Sequence, residues 1–318
     1  MLFDGDDDAL AQRLERLRSP EAAIRRVAVM EIADTGDEAV LPQAIAALRD
    51  ADAGVRAAAA QTLTVFDGAA VAAALVAALD DPETSVRTVV AEALAEKRWP
   101  EAAEPLLART QDPDPFVRAA AFRALIELRV PAALAPAIAA LDDADVPVRR
   151  AAATLLGWLG DPAAEAGLVA ASRDADPGVR QAAVAALVLK GAGARARAAL
   201  VSAIDDAAWQ VRIAAADAIG KLRLEDGLPA LLAATADDYW QVRGKAAESL
   251  GKLRRPEAIA VLAALLDHPI SNLRKDATAA LGEIGHADAL PALAAHAADP
   301  DPDVRKLNRW AAGKIGVG

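Results

Sequence analysis

An arginine that follows Val, Ile or Leu returns along this chain at a nearly constant interval, and this interval restricts the fold more than any other feature. Successive members are 31 residues apart, except for one interval of 32. A fixed period of this size is typical of a solenoid, in which each repeat buries its apolar face only against its neighbours. We number the repeats 1 to 10 by these arginines: Arg25, Arg56, Arg87, Arg118, Arg149, Arg180, Arg212, Arg243, Arg274 and Arg305.

The apolar spacing inside each repeat is helical. Relative to Arg243, which we set to zero, Val242, Ala246 and Leu250 lie at −1, +3 and +7, on one face of a helix. A second, shorter helix is predicted in stretches such as residues 226–236, and no stretch alternates with the period of two that strands show. Each repeat is therefore predicted to be a helical hairpin. Helix C-caps are expected at +11, where four repeats carry glycine: Gly160, Gly191, Gly285 and Gly316.

The repeat consensus D-x-x-x-x-V-R-x-x-A-A-x-A-L-G-x-L-G is nearly intact in "DAAWQVRIAAADAIGKL" and looser in "DADVPVRRAAATLLGWLG". It resembles the HEAT-like repeats of the phycobilisome-lyase type, over essentially the whole chain. The resemblance implies an all-α, right-handed solenoid of ten hairpins, in which the second helix of each repeat lines a concave face. Because the same repeat serves bilin lyases, scaffolds and adaptor domains, it implies an architecture and leaves the function open.

An acidic residue precedes nearly every repeat arginine by six positions. A feature present in almost every repeat serves the repeat itself, so we interpret these residues as structural. Each is expected to bind turn amides or to pair with an arginine of its own or the next repeat. The series reads Asp50, Asp81, Asp112, Asp143, Asp174, Asp206, Asp237 and Asp299, with Ser19 and His268 as its exceptions.

Composition excludes several classes of protein. The chain has no cysteine, so disulfides, thiolate metal sites and a cysteine nucleophile are ruled out. No apolar run is long enough to cross a bilayer. The first ten residues are acidic and lack the pattern of a signal peptide. We expect a cytoplasmic protein without a membrane partner.

The net charge of −11 is unevenly placed. Residues 1–190 carry 19 basic and 30 acidic side chains, whereas residues 191–318 carry 16 of each. The single 32-residue interval falls close to this boundary, within residues 189–200. We therefore expect two segments of one continuous solenoid, repeats 1–6 in residues 1–190 and repeats 7–10 in residues 191–318.

Functional residues are expected where a few repeats depart from the others. Positions −2, +2, +5 and +9 share one face of the second helix. Position +2 is small and apolar through repeat 7, but it holds Lys245 in repeat 8 and Asp276 in repeat 9. Lys245 is expected to reach Glu248 or Asp276, and this pairing is either a surface salt bridge or part of a binding site.

Tryptophans occur near the same helices. Trp209 and Trp240 share position −3 in adjacent repeats, and Trp310 stands at +5 of the last repeat. Large aromatic side chains supply much of the energy of protein interfaces, although these could also cover gaps between repeats. The predicted partner-binding residues are Trp209, Trp240, Gln241, Lys245, Glu248, Asn272, Asp276, Asn308, Arg309 and Trp310.

The sequence shows no catalytic constellation. The three histidines are His268, His286 and His296, and none belongs to the His-Glu pairs of HEAT-repeat di-iron hydroxylases. A phosphate-binding glycine loop is also lacking. We therefore expect no catalytic residue, no metal and no cofactor, and the resemblance leaves a lyase-type subunit as the enzymatic alternative.

Three functions stay open at this point. The first is a non-catalytic scaffold or adaptor that binds another protein in the concave groove of repeats 7–10. The second, which the resemblance implies, is a bilin lyase subunit or tetrapyrrole chaperone, with the tryptophans stacked on the pigment and Lys245 or Arg309 at its propionates. The third is the handling of nucleic acid, which the acidic first half and neutral second half disfavour.

Overall fold

The computed structural model describes residues 11–33, 38–189 and 192–316. Within these ranges all regular structure is helical and no strand occurs, so the predicted all-α solenoid is confirmed. The chain divides into two compact units, Met1–Leu155 and Leu156–Gly318. The handedness of the solenoid and the segment boundary at residues 190 and 191 stay predictions.

Each repeat forms the expected hairpin of a short first helix and a longer second helix. The first unit contains α1 (11–16), α2 (Ala22–Ala33), α3 (Leu41–Ala47), α4 (Ala53–Thr62), α5 (Ala69–Ala77), α6 (Thr84–Glu96), α7 (Ala103–Arg109), α8 (Pro115–Leu128), α9 (Leu134–Ala139) and most of α10 (Val146–Leu159). The second unit contains α11 (Glu165–Ala171), α12 (Pro177–Ala186), α13 (Ala194–Ser202), α14 (Trp209–Leu222), α15 (Leu228–Ala234), α16 (Trp240–Leu253), α17 (Ile259–Leu265), α18 (Ser271–Ile284), α19 (Leu290–Ala295) and α20 (Pro302–Gly316).

The core of the second unit runs along its second helices. The +7 residues Ile219, Leu250 and Leu281 are fully buried, and burying such a side chain contributes roughly 1.5–3 kcal/mol. Small residues allow neighbouring helices to approach closely. A methyl group added at Gly251 of α16 would lie 2.8 Å from the Cα atom of Ala280 in α18.

Glycine ends only some of the second helices. Gly160 and Gly285 adopt the left-handed conformation predicted for a C-cap, with φ of 63° and 72°. Gly316 instead lies within α20 as its last residue, and Gly191 is outside the described residues. Arginine takes the left-handed position in three other repeats, although this conformation is unfavourable for a residue with a Cβ atom: Arg129, Arg223 and Arg254.

The repeat arginines and the loop aspartates form a ladder that joins neighbouring repeats. Arg180 donates from Nε to Oδ2 of Asp206 at 2.7 Å and from Nη2 to Oδ1 at 2.8 Å. Its Nη1 donates to the carbonyl oxygens of Asp174 and Ala175 in its own repeat. The same bidentate pairing recurs in Arg25–Asp50, Arg56–Asp81, Arg118–Asp143, Arg212–Asp237 and Arg274–Asp299.

The structural interpretation of the aspartates is confirmed, but the expected direction of pairing was wrong. Each paired aspartate binds the arginine of the preceding repeat, because the loop that carries the aspartate lies against the start of the previous second helix. The arginine of its own repeat binds the loop carbonyls instead. The aspartate also accepts the amide two residues later, as Asp206 Oδ1 does from Ala208 N at 2.8 Å.

The ladder makes a prediction about stability. The hydrogen bond from Arg180 lowers the pKa of Asp206. The pairing therefore stabilises the fold above the ordinary aspartate pKa, and this stability is lost as the pH falls through the lowered value. We expect Asp206→Asn to reduce the free energy of unfolding at pH 7 by about 2 kcal/mol, since a charge-assisted hydrogen-bond pair is lost. The measurement is chemical denaturation followed by circular dichroism.

The chain offers a matched control one residue away. Asp205 is exposed, and Asp205→Asn should change the stability by less than about 0.5 kcal/mol. The difference between the two variants should shrink as the pH falls below the ordinary aspartate pKa. Equal effects of both variants at pH 7 would contradict a stabilising role for the ladder.

Candidate binding surface

Aromatic side chains are placed differently in the two units. In the first unit Phe66, Trp99 and Phe122 are buried. Among the described residues of the second unit no aromatic side chain is buried. The exposed fractions are 56% for Trp158, 46% for Tyr239, 36% for Trp240 and 43% for Trp310, and Trp209 is partly exposed.

Three of these residues lie at the start of α14 and α16, and we call them the aromatic cluster: Trp209, Tyr239 and Trp240. The rings of Trp209 and Tyr239 stack with centroids 5.6 Å apart and planes inclined by 13°. The guanidinium carbon of Arg212 lies 5.6 Å from the Tyr239 ring centroid, within range of a cation–π contact. Trp209 thus stacks on Tyr239 across the repeat boundary, and Trp240 follows Tyr239 as the first residue of α16.

The local sequence explains why aromatic residues can occupy this position. In earlier repeats the residue before the second helix is often an aspartate that caps it, as Asp176 does by accepting from Val179 N. In repeats 7 to 9 this residue is Ala208, Tyr239 or Ile270, and none of them makes a side-chain cap. In these three repeats the residue before the second helix is therefore not a capping residue, and an aromatic side chain can occupy this position.

Lys245 belongs to an ionic cluster that joins repeats 7 and 8: Asp217, Lys221, Lys245, Glu248 and Lys252. Its Nζ lies 2.6 Å from Glu248 Oε2 and 3.6 Å from Asp217 Oδ1. Lys252 Nζ lies 2.7 Å from Glu248 Oε1, and Lys221 Nζ lies 2.7 Å from Asp217 Oδ2. The expected contact with Glu248 is confirmed. The second carboxylate within salt-bridge distance of Lys245 is Asp217 of the preceding repeat, in place of the expected Asp276.

Asp276 lies in a different environment from the other carboxylates of this surface. Its side chain makes no hydrogen bond or salt bridge within the described residues. A methyl group at Gly244 would come within 2.6 Å of its Oδ2 atom, so the absence of a side chain at Gly244 makes room for the carboxylate. Burial and the charge of Glu248 raise the pKa of Asp276 to about 6, against the opposing effect of Lys245.

The remaining predicted residues divide into two groups. Asn272 and Arg309 are exposed and Gln241 is partly exposed, so all three can be reached from solvent. Asn308 is buried, and its Nδ2 donates to the carbonyl oxygen of Leu293 at 2.7 Å. This hydrogen bond joins the two helices of repeat 10. The prediction that Asn308 is a partner-binding surface residue is therefore wrong.

Trp310 packs at the other end of this surface, against repeat 9. One edge of its ring lies so close to Gly282 that a methyl group there would come within 2.5 Å of it. Lys314 Nζ lies 4.9 Å from its ring centroid and 2.8 Å from Glu283 Oε1, and Arg254 Nη2 also reaches Glu283, at 3.2 Å. Trp310 is thus partly held by its neighbours and still 43% exposed.

Two contributors to this surface were missed by sequence reasoning, namely Tyr239 and Asp217. A signal for Tyr239 existed, since it is the only tyrosine and stands where repeats 2 to 6 carry an acidic residue. Asp217 gave a weaker signal, because a single charged residue at +5 is common along the chain. No cluster of metal-ligating side chains occurs among the described residues. The described helices also include none with the length and apolar character of a membrane span.

Comparison with known proteins decides the family. The sequence matches HEAT repeats in five overlapping segments, residues 8–95, 72–155, 103–188, 165–250 and 228–313. The chain belongs to the HEAT-repeat family. No curated protein sequence matches it.

Solved HEAT-repeat structures share the fold. An X-ray structure of YibA from E. coli has a TM-score of 0.63 at 19% identity and covers 81% of this chain and 96% of its own. A structure of Kap95p, described as binding RanGDP, has a TM-score of 0.67 at 17% identity and covers 98% of this chain and 50% of its own. The CpcE–CpcF phycocyanin lyase of Nostoc sp. PCC7120 has 24% identity over 69% of this chain and 95% of its own, but its TM-score is only 0.45. At these identities the likeness to YibA and Kap95p shows the fold alone.

The environment of Asp276 predicts an unusual pH dependence. An acid whose pKa is raised in the folded state destabilises the fold when ionised, and this cost disappears as the pH falls from the raised pKa towards the ordinary one. We expect Asp276→Asn to raise the denaturation midpoint at pH 7.5 and to raise it clearly less at pH 5.

Glu283 on the same surface provides the contrast for this prediction. Lys314 lowers the pKa of Glu283, so Glu283→Gln should lower the midpoint at pH 7.5. Denaturation of both variants at the two pH values measures the difference. A loss of stability at pH 7.5 in Asp276→Asn would show that its carboxylate is stabilised by its surroundings.

Proposed function

We propose that this protein is a non-catalytic scaffold or adaptor that binds a protein partner through the surface of repeats 7–10. The proposal rests on one observation: all described aromatic side chains of the second unit lie outside its core. The core of this unit is built from Ala, Leu, Ile and Val, so its fold does not depend on buried aromatic rings.

The aromatic cluster has the properties of an interface anchor. Tryptophan and tyrosine are enriched among the residues that dominate binding energy, because they bury a large area at a small entropic cost. Stacking of Trp209 on Tyr239 already restricts both rings before a partner arrives. A preorganised surface of this kind loses less conformational entropy on binding.

The ionic cluster contributes more to the orientation of the protein partner than to its affinity. Lys245 and Lys252 are already paired with Glu248, so a partner would gain little from either charge alone. A patterned set of charges beside an aromatic anchor fixes the orientation of a partner and rejects wrong ones. The proposed surface contains Tyr239 and, from the sequence analysis, Trp209, Trp240, Gln241, Lys245, Glu248, Asn272, Asp276, Arg309 and Trp310.

Family membership favours this proposal over the two alternatives. HEAT-repeat solenoids typically bind proteins, as the Kap95p structure illustrates for its own chain. The tetrapyrrole alternative rests on the sequence resemblance, since the lyase structure is too distant in fold to support an argument. The nucleic-acid alternative needs a cationic surface, and residues 191–318 carry equal numbers of acidic and basic side chains. A cytoplasmic location stays a prediction.

The test is affinity capture from the native lysate followed by mass spectrometry of the retained proteins. We expect a protein held by the wild type to be reduced at least tenfold on Trp240→Ala and on the double variant Trp240→Ala/Lys245→Ala, since loss of a central aromatic anchor costs about 2 kcal/mol or more.

Trp158→Ala is the matched control, because Trp158 is more exposed than Trp240 and lies outside the proposed surface. It should retain the partner at the level of the wild type. Equal retention by all variants would contradict a role for the aromatic cluster, and coloured wild-type protein with visible absorbance would favour the tetrapyrrole alternative.

A further inference from the structure

The ladder is interrupted at repeat 8 in a way that leaves one arginine without an acceptor. Arg243 occupies the ladder position, but the residue 25 positions later is His268. The Nε atom of Arg243 is buried and has no hydrogen-bond partner among the described residues. Arg212 and Arg274, in the neighbouring repeats, each bind an aspartate with two nitrogens.

His268 replaces only half of what an aspartate does at this position. Its Nδ1 accepts from Ile270 N at 3.0 Å, as Asp237 Oδ1 accepts from Tyr239 N at 2.8 Å. A neutral imidazole that accepts at Nδ1 carries its hydrogen at Nε2, so this ring offers the guanidinium a donor and no second acceptor. Burial and the charges of Arg243 and Arg274 lower the pKa of His268, which keeps the ring neutral at pH 7.

Neighbouring carboxylates do not replace the missing one. Asp267, beside His268, lies 3.0 Å from His296 Nε2 through its Oδ1. Asp237 is held by Arg212, and Asp299 is held by Arg274. The other ladder arginines also bind carbonyl oxygens of the loop in their own repeat. Arg243 makes no such hydrogen bond in the described structure.

Repeat 3 shows that a ladder arginine without its aspartate can still find other partners. In the described part of the chain the Nε atom of Arg87 is also without a hydrogen-bond partner, and its expected acid, Asp112, is held by Arg109 at 2.8 Å. Arg87 nevertheless donates to the carbonyl oxygens of Asp81 and Pro82, and its guanidinium lies 5.3 Å from the Phe116 ring centroid. Among the described residues of the second unit, Arg243 makes no such carbonyl or ring contact.

We propose that Arg243 binds a carboxylate of the protein partner, an aspartate or glutamate side chain that takes the part played elsewhere by the ladder aspartate. Trp240 lies one turn before Arg243 on α16, so a carboxylate bound there is next to the aromatic cluster. A planar carboxylate matches the fork of the guanidinium, and the Arg243 side chain is partly exposed although its Nε atom is buried. The inference rests on the proposed function, because it names the chemistry of one contact of that surface.

Acetate is the probe for the site itself. In the protein labelled with ¹⁵N-arginine, the Nε–Hε signal of Arg243 is identified by its loss in Arg243→Gln. Sodium acetate is titrated against sodium chloride at constant ionic strength, and we expect a saturable shift of this signal with acetate only. The signals of Arg212 and Arg274 are internal controls and should not move.

His268→Asp is the decisive variant, because it restores the ladder consensus. Its Arg243 signal should move towards those of the ladder arginines without acetate and should no longer respond to it, while the denaturation midpoint rises. An unmoved Arg243 signal in the wild type, or an equal acetate response in His268→Asp, would overturn the proposal.

Partner capture separates this inference from the proposed function. We expect His268→Asp to lose the partner that Trp158→Ala retains. If acetate binds but His268→Asp keeps the partner at the wild-type level, the site binds free carboxylates and the inference about the partner is wrong. If Trp240→Ala keeps the partner, the proposed function fails, whatever the acetate titration shows.

Discussion

Burial of each second helix against those of the neighbouring repeats is the interaction on which the rest of the structure depends. A single hairpin cannot cover its own apolar face, so stability comes from the contacts between repeats. Alanine and glycine at these contacts let the helices approach, and leucine or isoleucine at +7 fills the space between them. The Asp–Arg ladder adds a polar connection at one end of the helix pairs that it joins, where loop carbonyls accept from the guanidinium and where one arginine serves two repeats.

This construction leaves much of the surface free to change. The core needs only small aliphatic residues at regular positions, so other faces of the second helices can carry different side chains from repeat to repeat. Repeats 7 to 9 use this freedom at the capping position, and repeats 8 and 9 use it at +2. Tyr239 replaces a capping residue and stacks on Trp209, and Gly244 gives up its side chain to make room for Asp276. Departures from the repeat consensus therefore coincide with the aromatic cluster, the ionic cluster and an acid of raised pKa.

The break in the ladder at His268 follows the same logic. Because the Asp–Arg pair recurs along the chain, it shows which group is missing opposite Arg243, namely a carboxylate. A single surface arginine would give no such indication. Its neighbour on α16 is Trp240, which connects the polar irregularity with the aromatic one. In the proposed interface the aromatic rings supply buried area and the guanidinium supplies direction.

The sequence by itself determined the repeat, its period, the helical hairpins and the core positions, because the 31-residue interval and the helical spacing are local properties of the chain. It also identified Trp240 and Lys245 as departures from the pattern. Only the tertiary structure decided which residues meet: that Lys245 pairs with Asp217, that Asn308 is buried and that Tyr239 joins Trp209. It also decided that each ladder aspartate binds the preceding repeat. These outcomes depend on the offset between stacked repeats, and that offset is set by packing across the interface, which the spacing within a single repeat does not encode.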